Sequence, residues 1–565
     1  MRNGPRPRNP SGHLPEPSPD ARSSRLAVRG AVWTVVATGG QAALQFILLA
    51  ILSHLLSPDD FGQMASVTVV IGLCTLLAQQ GLGPALVQRR MLEPRHIRTG
   101  FTLSLLLAFC LTGILWQIAP LVADLFHMPG MVSLIRAVSA VIVLQALSVT
   151  AESLLQRRLR LRMLATIDVL SFLVGFGGVA VVLALAGFGV WAIVWAQIAH
   201  HALRATLLIL ANPHAMRPLL DAPAARDLVR VGSGFALAAL ANGGAHQTDY
   251  LVVGRWMGTG ALGLYERAYQ LMMVPARLSS TIFSRVLFPT MARNQLRTDR
   301  LRVIYRRGLV SIALTVLPAT VITVMLAPEI VRLLLGIQWL GVVAPLRILA
   351  VGMLFRTSYK LSDTLVRATG AAYRRAWRQW IYVLLVAIGA LIGVRWGLNG
   401  VAGGILLAIL VNFLLMAQLS LLLLELRWGT FFRSHLPGIR VAALVAIVLM
   451  PLVMLFRVQQ APAILIVALS SLLAVLPVLG AVVVRSRWLL GDDGLWMVDF
   501  LWNQGFDCTD RSGVASQARA TGSRSGGPCR PGRPAVAAVS VSCWNDGAAA
   551  RQPVSPSMRD PGGAL

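Results

Sequence analysis

Residues 463–484 read AILIVALSSLLAVLPVLGAVVV, twenty-two residues in a row without a charge. At 1.5 Å per residue, about 20 apolar residues cross a bilayer core about 30 Å thick. A helix at the surface of a soluble domain would carry a polar face instead. The stretch therefore reads as a membrane helix, and the same pattern recurs outward from it, as in LLVAIGALIG at 384–393. The 565-residue chain is 56% hydrophobic and 13% charged, with mean hydropathy +0.68, whereas soluble domains carry roughly a quarter charged residues. The fold class is an all-α polytopic membrane protein. Fourteen spans are expected, near 31–56, 63–88, 100–123, 131–155, 166–187, 189–211, 230–254, 262–291, 308–327, 341–366, 379–396, 399–425, 439–457 and 462–484.

The same chain carries a formal charge of +28, from 51 Lys and Arg against 23 Asp and Glu. In a soluble protein this would suggest nucleic acid, but charges confined between apolar spans cannot form one basic face, so no nucleic-acid partner is expected. Their positions alternate. Arg2, Arg6, Arg8, Arg22, Arg25 and Arg29 precede the first span, and every second loop repeats the theme: QRRMLEPRHIR (88–98), QRRLRLR (156–162), ARNQLRTDRLRVIYRR (292–307) and RATGAAYRRAWR (367–378). The intervening loops SPDD (57–60), HMPG (127–130) and GFG (187–189) have none. By the positive-inside rule both termini are cytoplasmic, with the basic loops against anionic membrane lipids. Residues 1–29 read as a disordered basic cytoplasmic N-terminus. Residues 505–565, rich in Gly, Ser, Pro, Ala and Arg without periodicity, read as a disordered cytoplasmic tail.

No connection is long enough to hold a globular catalytic domain. The five cysteines, Cys74, Cys110, Cys508, Cys529 and Cys543, have no zinc-ligand spacing and do not pair off into a disulfide framework. No Walker lysine motif occurs, and GDDG at 491–494 lacks a nucleotide-binding fold around it. The expectation is a non-enzyme without cofactor or metal. An internal repeat gives the architecture: Gly39 and Gly40 match Gly243 and Gly244, SPDDFGQMA falls where GTGALGLYERA falls, Pro84 falls opposite Pro289, and each repeat begins after a Val-Arg pair, Val28–Arg29 and Val229–Arg230. The offset of roughly 202 residues covers six spans, so the two halves share an orientation. Two six-helix lobes, 30–211 and 230–425, are then related by a pseudo-two-fold along the membrane normal and face a central cavity, with extra helices at 439–484.

The stretch DYLVVGRWMGTGALGLYERA (249–268), followed by Pro275 and Pro289, resembles the polysaccharide flippases of the multidrug/oligosaccharidyl-lipid/polysaccharide exporter superfamily. LLSPDDFGQMA after the first helix and QGLGPALVQRR closing the second are similar to the N-terminal signature of the colanic-acid and related exopolysaccharide exporters. The resemblance covers roughly residues 25–485. It implies a bacterial inner-membrane protein that moves an undecaprenyl-diphosphate-linked oligosaccharide to the periplasmic leaflet by alternating access. A polysaccharide polymerase and copolymerase are the protein partners it points to. A lipid II flippase, and after it a cation-coupled drug antiporter of the same superfamily, are the alternatives.

For such a substrate the candidate cations are Arg277, Arg356 and Lys360, because a guanidinium keeps its charge when desolvated and binds oxygens through a fork. Counted from the start of the eighth span, Arg277 lies roughly 21 Å in, close to mid-depth; a structural ion pair is its alternative role. Arg356, Lys360 and Asp363 follow i, i+4, i+7 on one stripe, and Lys360 with Asp363 could be a structural pair. Arg267 and Arg285 read as snorkelling residues near helix ends. Gln41, Gln45, Gln79, Gln80 and Asn242 suit sugar hydroxyls or interhelical hydrogen bonds. His246 and Asp249, three residues apart, are candidates for ion coupling, as is Asp363; Asp249 could instead only hold the turn between the seventh and eighth spans.

Overall fold

The computed structural model describes residues 40, 43–80, 82–88, 92–158, 160–213, 217–230, 247–274, 276–277, 287–483, 489–491 and 493–495. They all fall in one compact unit, Met1–Phe500. No strand occurs among them. In chain order the first half runs α1 (Ala43–Leu55), α2 (Pro58–Gln80), α3 (Leu82–Gln88), α4 (Pro94–Phe126), α5 (Met131–Arg157), α6 (Leu161–Leu185) and α7 (Val190–Ala211). The second half runs α8 (Thr248–Met272), α9 (Phe288–Arg293), α10 (Thr298–Met325), α11 (Ala327–Leu334), α12 (Val343–Ala368), α13 (Ala372–Gly393) and α14 (Gly397–Leu424). The short α15 (Trp428–Arg433), then α16 (Leu436–Val458) and α17 (Ala463–Val483) complete it. Among the described residues eight helices are long and apolar enough to cross a membrane. One of these, Arg374–Leu424, contains two of the expected spans.

The apolar periodicity located these helices, but three details escaped it. The expected 63–88 span is two helices, α2 and α3. The fifth expected span has a π-helical middle, Leu173–Ala180. The seventh and eighth expected spans are not separated by a loop at 255–261: α8 runs through that stretch with a single break at Gly258, whose φ of 84° is one that a glycine adopts without strain. Glycines also set a close helix pair. Gly389 lies against the carbonyl of Gly404 and Gly393 against that of Gly400, so the small-xxx-small spacing of Gly400 and Gly404 brings α13 and α14 into backbone contact.

The two halves meet through the turns that the repeat aligns. Ser57 opens α2: its hydroxyl accepts the Asp60 amide at 3.2 Å and donates to Asp60 Oδ2 at 2.7 Å. Pro58 and the two aspartates then occupy a first turn that tolerates a missing N–H and favours negative charge. A Cβ at Gly62 would collide with the Thr259 carbonyl, and one at Gly263 with the Pro58 carbonyl. Both pairs obey one offset, since Gly62 and Gly263 are 201 residues apart and so are Pro58 and Thr259. Residue i touching j while their equivalents touch in reverse is the contact pattern of a two-fold axis. Thr259 Oγ1 donates to Asp59 Oδ1 at 2.6 Å. Beside it, Trp339 Nε1 and Gln338 Nε2 donate to the Ser53 carbonyl at 2.8 and 2.7 Å. They satisfy carbonyl groups at the end of α1 that its own helix leaves open.

At other helix ends charges are spent on structure. Arg457 grips Glu329 through two bonds of 2.8 and 3.0 Å, and Asp493 of the GDDG stretch joins Arg306 at 2.6 Å. The paired turns make a direct test possible. Asp59→Cys combined with Thr259→Cys is expected to cross-link on mild oxidation of the purified chain, with neither single variant doing so. Absence of the cross-link would show that the turns do not meet.

Candidate functional site

The break at Gly258 moves the depth scale. The second arm of α8 begins at Thr259 rather than near 262, which puts Arg267 about 12 Å along it at 1.5 Å per residue. Arg267 therefore lies about two turns into that arm, away from its end. It does not snorkel: it is 6% exposed, with its guanidinium 3.9 Å over the Phe61 ring, and Phe61 stands edge-on to Trp339 at 5.4 Å. Arg267 Nη1 donates to Gln270 Oε1 at 2.5 Å and Gln270 Nε2 donates to Glu266 Oε1 at 2.8 Å. Glu266 lies 3.7 Å from Arg267 Nη2. One donor, Arg267 Nε, is buried without an acceptor among the described residues.

This cluster lines a cavity of about 300 Å³ between the halves. Gln45 of α1, Thr68 of α2 and Gln197 of α7 face it from the first half, and Glu266, Arg267, Gln270 and Arg277 from the second. Arg277 is exposed into it, and among the described residues no carboxylate lies within ion-pair distance of it. A second cavity of about 360 Å³ continues into the first half, sharing Gln45, Thr68, Phe172, Phe176 and Gln197 with the first and adding Gln145, His200 and His201.

The other expected residues separate from this cavity. Asp249 is 3% exposed; it accepts the Tyr265 hydroxyl at 2.9 Å and the Tyr250 amide at 3.0 Å, tying the two arms of α8 together across Gly258. Tyr250, Tyr265 and Tyr269 pack with centroids 5.7 to 6.0 Å apart. Arg356, 2% exposed, donates to the Tyr382 hydroxyl at 3.1 Å and lies near enough to Asp249 for their charges to interact. Asp363 pairs with Arg367 at 3.2 Å and with Arg375, rather than with Lys360, which has no ion pair among the described residues. Gln79 and Gln80 end α2, with side chains outside the described set; Gln41, Asn242, His246, Pro275 and Arg285 also lie outside the described residues.

Glu266, Gln270, Gln197, His200 and His201 were not singled out from the sequence. Their signal was there, since ionisable and amide groups inside an apolar span are costly and tend to face a cavity. The YERAYQ stretch at 265–270 and QIAHH at 197–201 both interrupt such spans.

The family described as polysaccharide biosynthesis protein matches residues 51–344. Among curated relatives, the teichuronic acid biosynthesis protein TuaB of Bacillus subtilis (strain 168) is 24% identical over 75% of this chain and 88% of its own. The succinoglycan biosynthesis transport protein ExoT of Rhizobium meliloti (strain 1021) is 28% identical over 56% and 64%. The lipopolysaccharide biosynthesis protein WzxC of Escherichia coli (strain K12) is 25% identical over 69% and 79%. Among solved structures, the lipid II flippase MurJ in an inward closed conformation superposes with TM-score 0.60 at 13% identity, over 79% of this chain and 97% of that one. An inward-facing multidrug resistance MATE family transporter of the MOP superfamily gives 0.56 at 18% identity, over 68% and 94%. The structural likenesses establish a fold shared with these two solved structures, and the apolar helices make the chain a multi-pass membrane protein.

The two cavity arginines should behave differently on substitution. Arg267→Leu removes a cation held against Phe61 and leaves Glu266 buried and uncompensated, a loss of about 3–5 kcal/mol. Arg277→Leu is expected to stay within about 0.5 kcal/mol. Equal melting temperatures of the two purified variants would contradict this assignment.

Proposed function

This chain belongs to the polysaccharide biosynthesis protein family, and on that premise we propose that it is a flippase carrying an undecaprenyl-diphosphate-linked oligosaccharide from the cytoplasmic to the periplasmic leaflet of the bacterial inner membrane. The observation that carries the reading is the cavity shared by both halves, where Arg277 and the open Nε of Arg267 accompany the amides of Gln45, Gln197 and Gln270. A diphosphate needs cations that stay charged away from water, which arginine supplies. Sugars need paired donors and acceptors, which amides supply. The relatives named for teichuronic acid biosynthesis, succinoglycan biosynthesis transport and lipopolysaccharide biosynthesis support a glycan-bearing substrate.

In the proposed cycle the closed turns at 57–63 and 258–263 mark the periplasmic end, and the alternation of arginine-rich and arginine-poor loops supports that orientation and cytoplasmic termini. Substrate enters with that end shut; rocking of the halves about the paired turns then opens it. Arg277, exposed in the cavity, receives the diphosphate, while Arg267, braced by Phe61 and Glu266, holds the second anionic contact. Asp249 is the coupling group: protonation would remove the charge that Tyr265 and Arg356 now stabilise and loosen the α8 hairpin next to the paired turns. Asp363, already set between Arg367 and Arg375, supports packing of α12 and α13. The polymerase and copolymerase that lengthen the glycan are proposed as downstream partners.

Two outcomes test this. In cells of the source organism, replacing the gene by Arg277→Ala is expected to reduce surface polysaccharide by tenfold or more on the scale of one lost charge-assisted contact, about 1.5–3 kcal/mol, with carrier-linked oligosaccharide accumulating inside. Normal polysaccharide with arrested peptidoglycan synthesis in a deletion strain would redirect the substrate to lipid II. In proteoliposomes bearing a proton gradient, Asp249→Asn is expected to flip substrate without responding to the gradient; an unchanged response would remove Asp249 from coupling.

A further inference from the structure

The second cavity lies wholly in the first half, and its wall has a chemistry unlike that of the arginine-bearing one. Phe172 and Phe176 stack at 4.9 Å and 28°, one ring behind the other, a two-ring aromatic platform on the cavity wall. His200 stands against both rings at 6.0 and 6.1 Å, and His201 lies 4.7 Å from His200. Gln145 reaches His201 Nε2 at 3.2 Å, and Gln197, Thr68 and Thr75 complete the polar side. At about 360 Å³ it falls in the range of about 300–1,000 Å³ typical of small-molecule sites.

Three features argue that this wall is built for a ligand. Amides and imidazoles placed inside a membrane span carry a desolvation cost that an apolar lining would avoid. The platform sits where α6 turns π-helical, over Leu173–Ala180; π-helical turns are rare and concentrate at functional sites. The approach of α7 is set by Gly175, where a Cβ would lie 2.7 Å from His200 Cβ and 2.8 Å from the Ala196 carbonyl, so only glycine admits His200 to the rings.

The charge balance says which ligand. Arg204, one turn along α7 from His200 and His201, is more than offset by two carboxylates, Glu152 at 3.1 Å and Asp168 at 2.7 Å, an arrangement that also pins α5, α6 and α7 together. What faces the cavity is therefore an aromatic surface with amide and imidazole groups, each able to donate and accept. A pyranose ring matches it, with C–H bonds for the negative face of a phenyl ring and hydroxyls for the amides. A phosphate would find no free cation among the described lining residues. We propose that this cavity is a carbohydrate subsite, in which Phe172 and Phe176 carry a sugar ring of the substrate while Gln145, Gln197, His200 and His201 bond its hydroxyls. It rests on the flippase reading for the identity of the glycolipid. Because the two cavities share five lining residues, a single ligand can place its diphosphate near Arg277 and its adjoining sugars here.

The test uses the purified full chain with two probes, undecaprenyl diphosphate and undecaprenyl-diphosphate-linked glucose, with binding measured by native mass spectrometry. The wild type is expected to bind the glucosylated lipid about tenfold more tightly, the worth of one or two buried hydrogen bonds. Phe176→Leu and Phe172→Leu keep the apolar bulk without the ring, and Gln145→Ala removes an amide that lines the second cavity alone. Each is expected to abolish most of that preference and leave binding of bare undecaprenyl diphosphate unchanged. If the wild type binds both lipids equally, the subsite is overturned while the carrier-lipid reading stands. If it binds neither, the flippase reading fails and the subsite with it. Variants that weaken both lipids alike would assign these residues to packing and overturn the subsite.

Discussion

The structure depends on one close approach. The turn at 57–63 and the turn at 258–263 press together until carbonyls occupy the space where Cβ atoms of Gly62 and Gly263 would stand. Because the two contacts are reciprocal under a 201-residue offset, they mark the pseudo-two-fold that relates the halves. Everything beyond them radiates from that point. Asp59 bonds Thr259, the carbonyls at the end of α1 receive Gln338 and Trp339, and Phe61, one residue before Gly62, is carried under Arg267.

A second constraint is that a charge inside the bilayer must be compensated. Most buried ions here answer to a protein partner: Asp249 to Tyr265, Asp363 to Arg367 and Arg375, Arg204 to Glu152 and Asp168, Glu329 to Arg457. Arg267 is compensated by a ring and a neighbouring carboxylate, yet keeps one donor unused. Arg277 answers instead to the open cavity. Intramembrane charges thus sort themselves by what satisfies them, and the small set left facing the cavity is the set that a ligand can address.

The helices and their order were legible because apolar runs of membrane length leave few alternatives, and the aligned turns were legible because SPDDFGQMA and GTGALGLYERA carry the glycines and acidic cap that a close reciprocal contact demands. Depth was not. Arg267 was misplaced because its helix was counted from residue 262, and the left-handed φ at Gly258 that starts it earlier is a single-residue event with no periodic signature. The π-helical turn in α6 was hidden as well, since one additional residue in a turn shifts the faces without changing composition; the Gly-rich VGFGGV at 174–179 was its only trace. Asp363 went to Arg367 and Arg375 instead of Lys360 because the decisive partner, Arg375, comes from α13, and spacing along one helix says nothing about its neighbour.

The repeat is symmetric, but the cavity is not. Position for position, the second half places Glu266, Arg267 and Gln270 where the first half has Ala65, Ser66 and Val69 at the same 201-residue offset. Those first-half residues are small or apolar and buried in packing. The polar groups of the first half come instead from α1, α2, α5 and α7, and they include no carboxylate, lysine or arginine where they face the second cavity. A duplicated scaffold has thus been differentiated into a cationic side and a neutral hydrogen-bonding side facing each other across the axis. A ligand that is itself bipartite, anionic at the link to its lipid and neutral beyond it, is oriented by that asymmetry. Were both halves cationic, the two ends of such a ligand would compete for the same groups, and the direction in which it lay across the axis would be left undetermined.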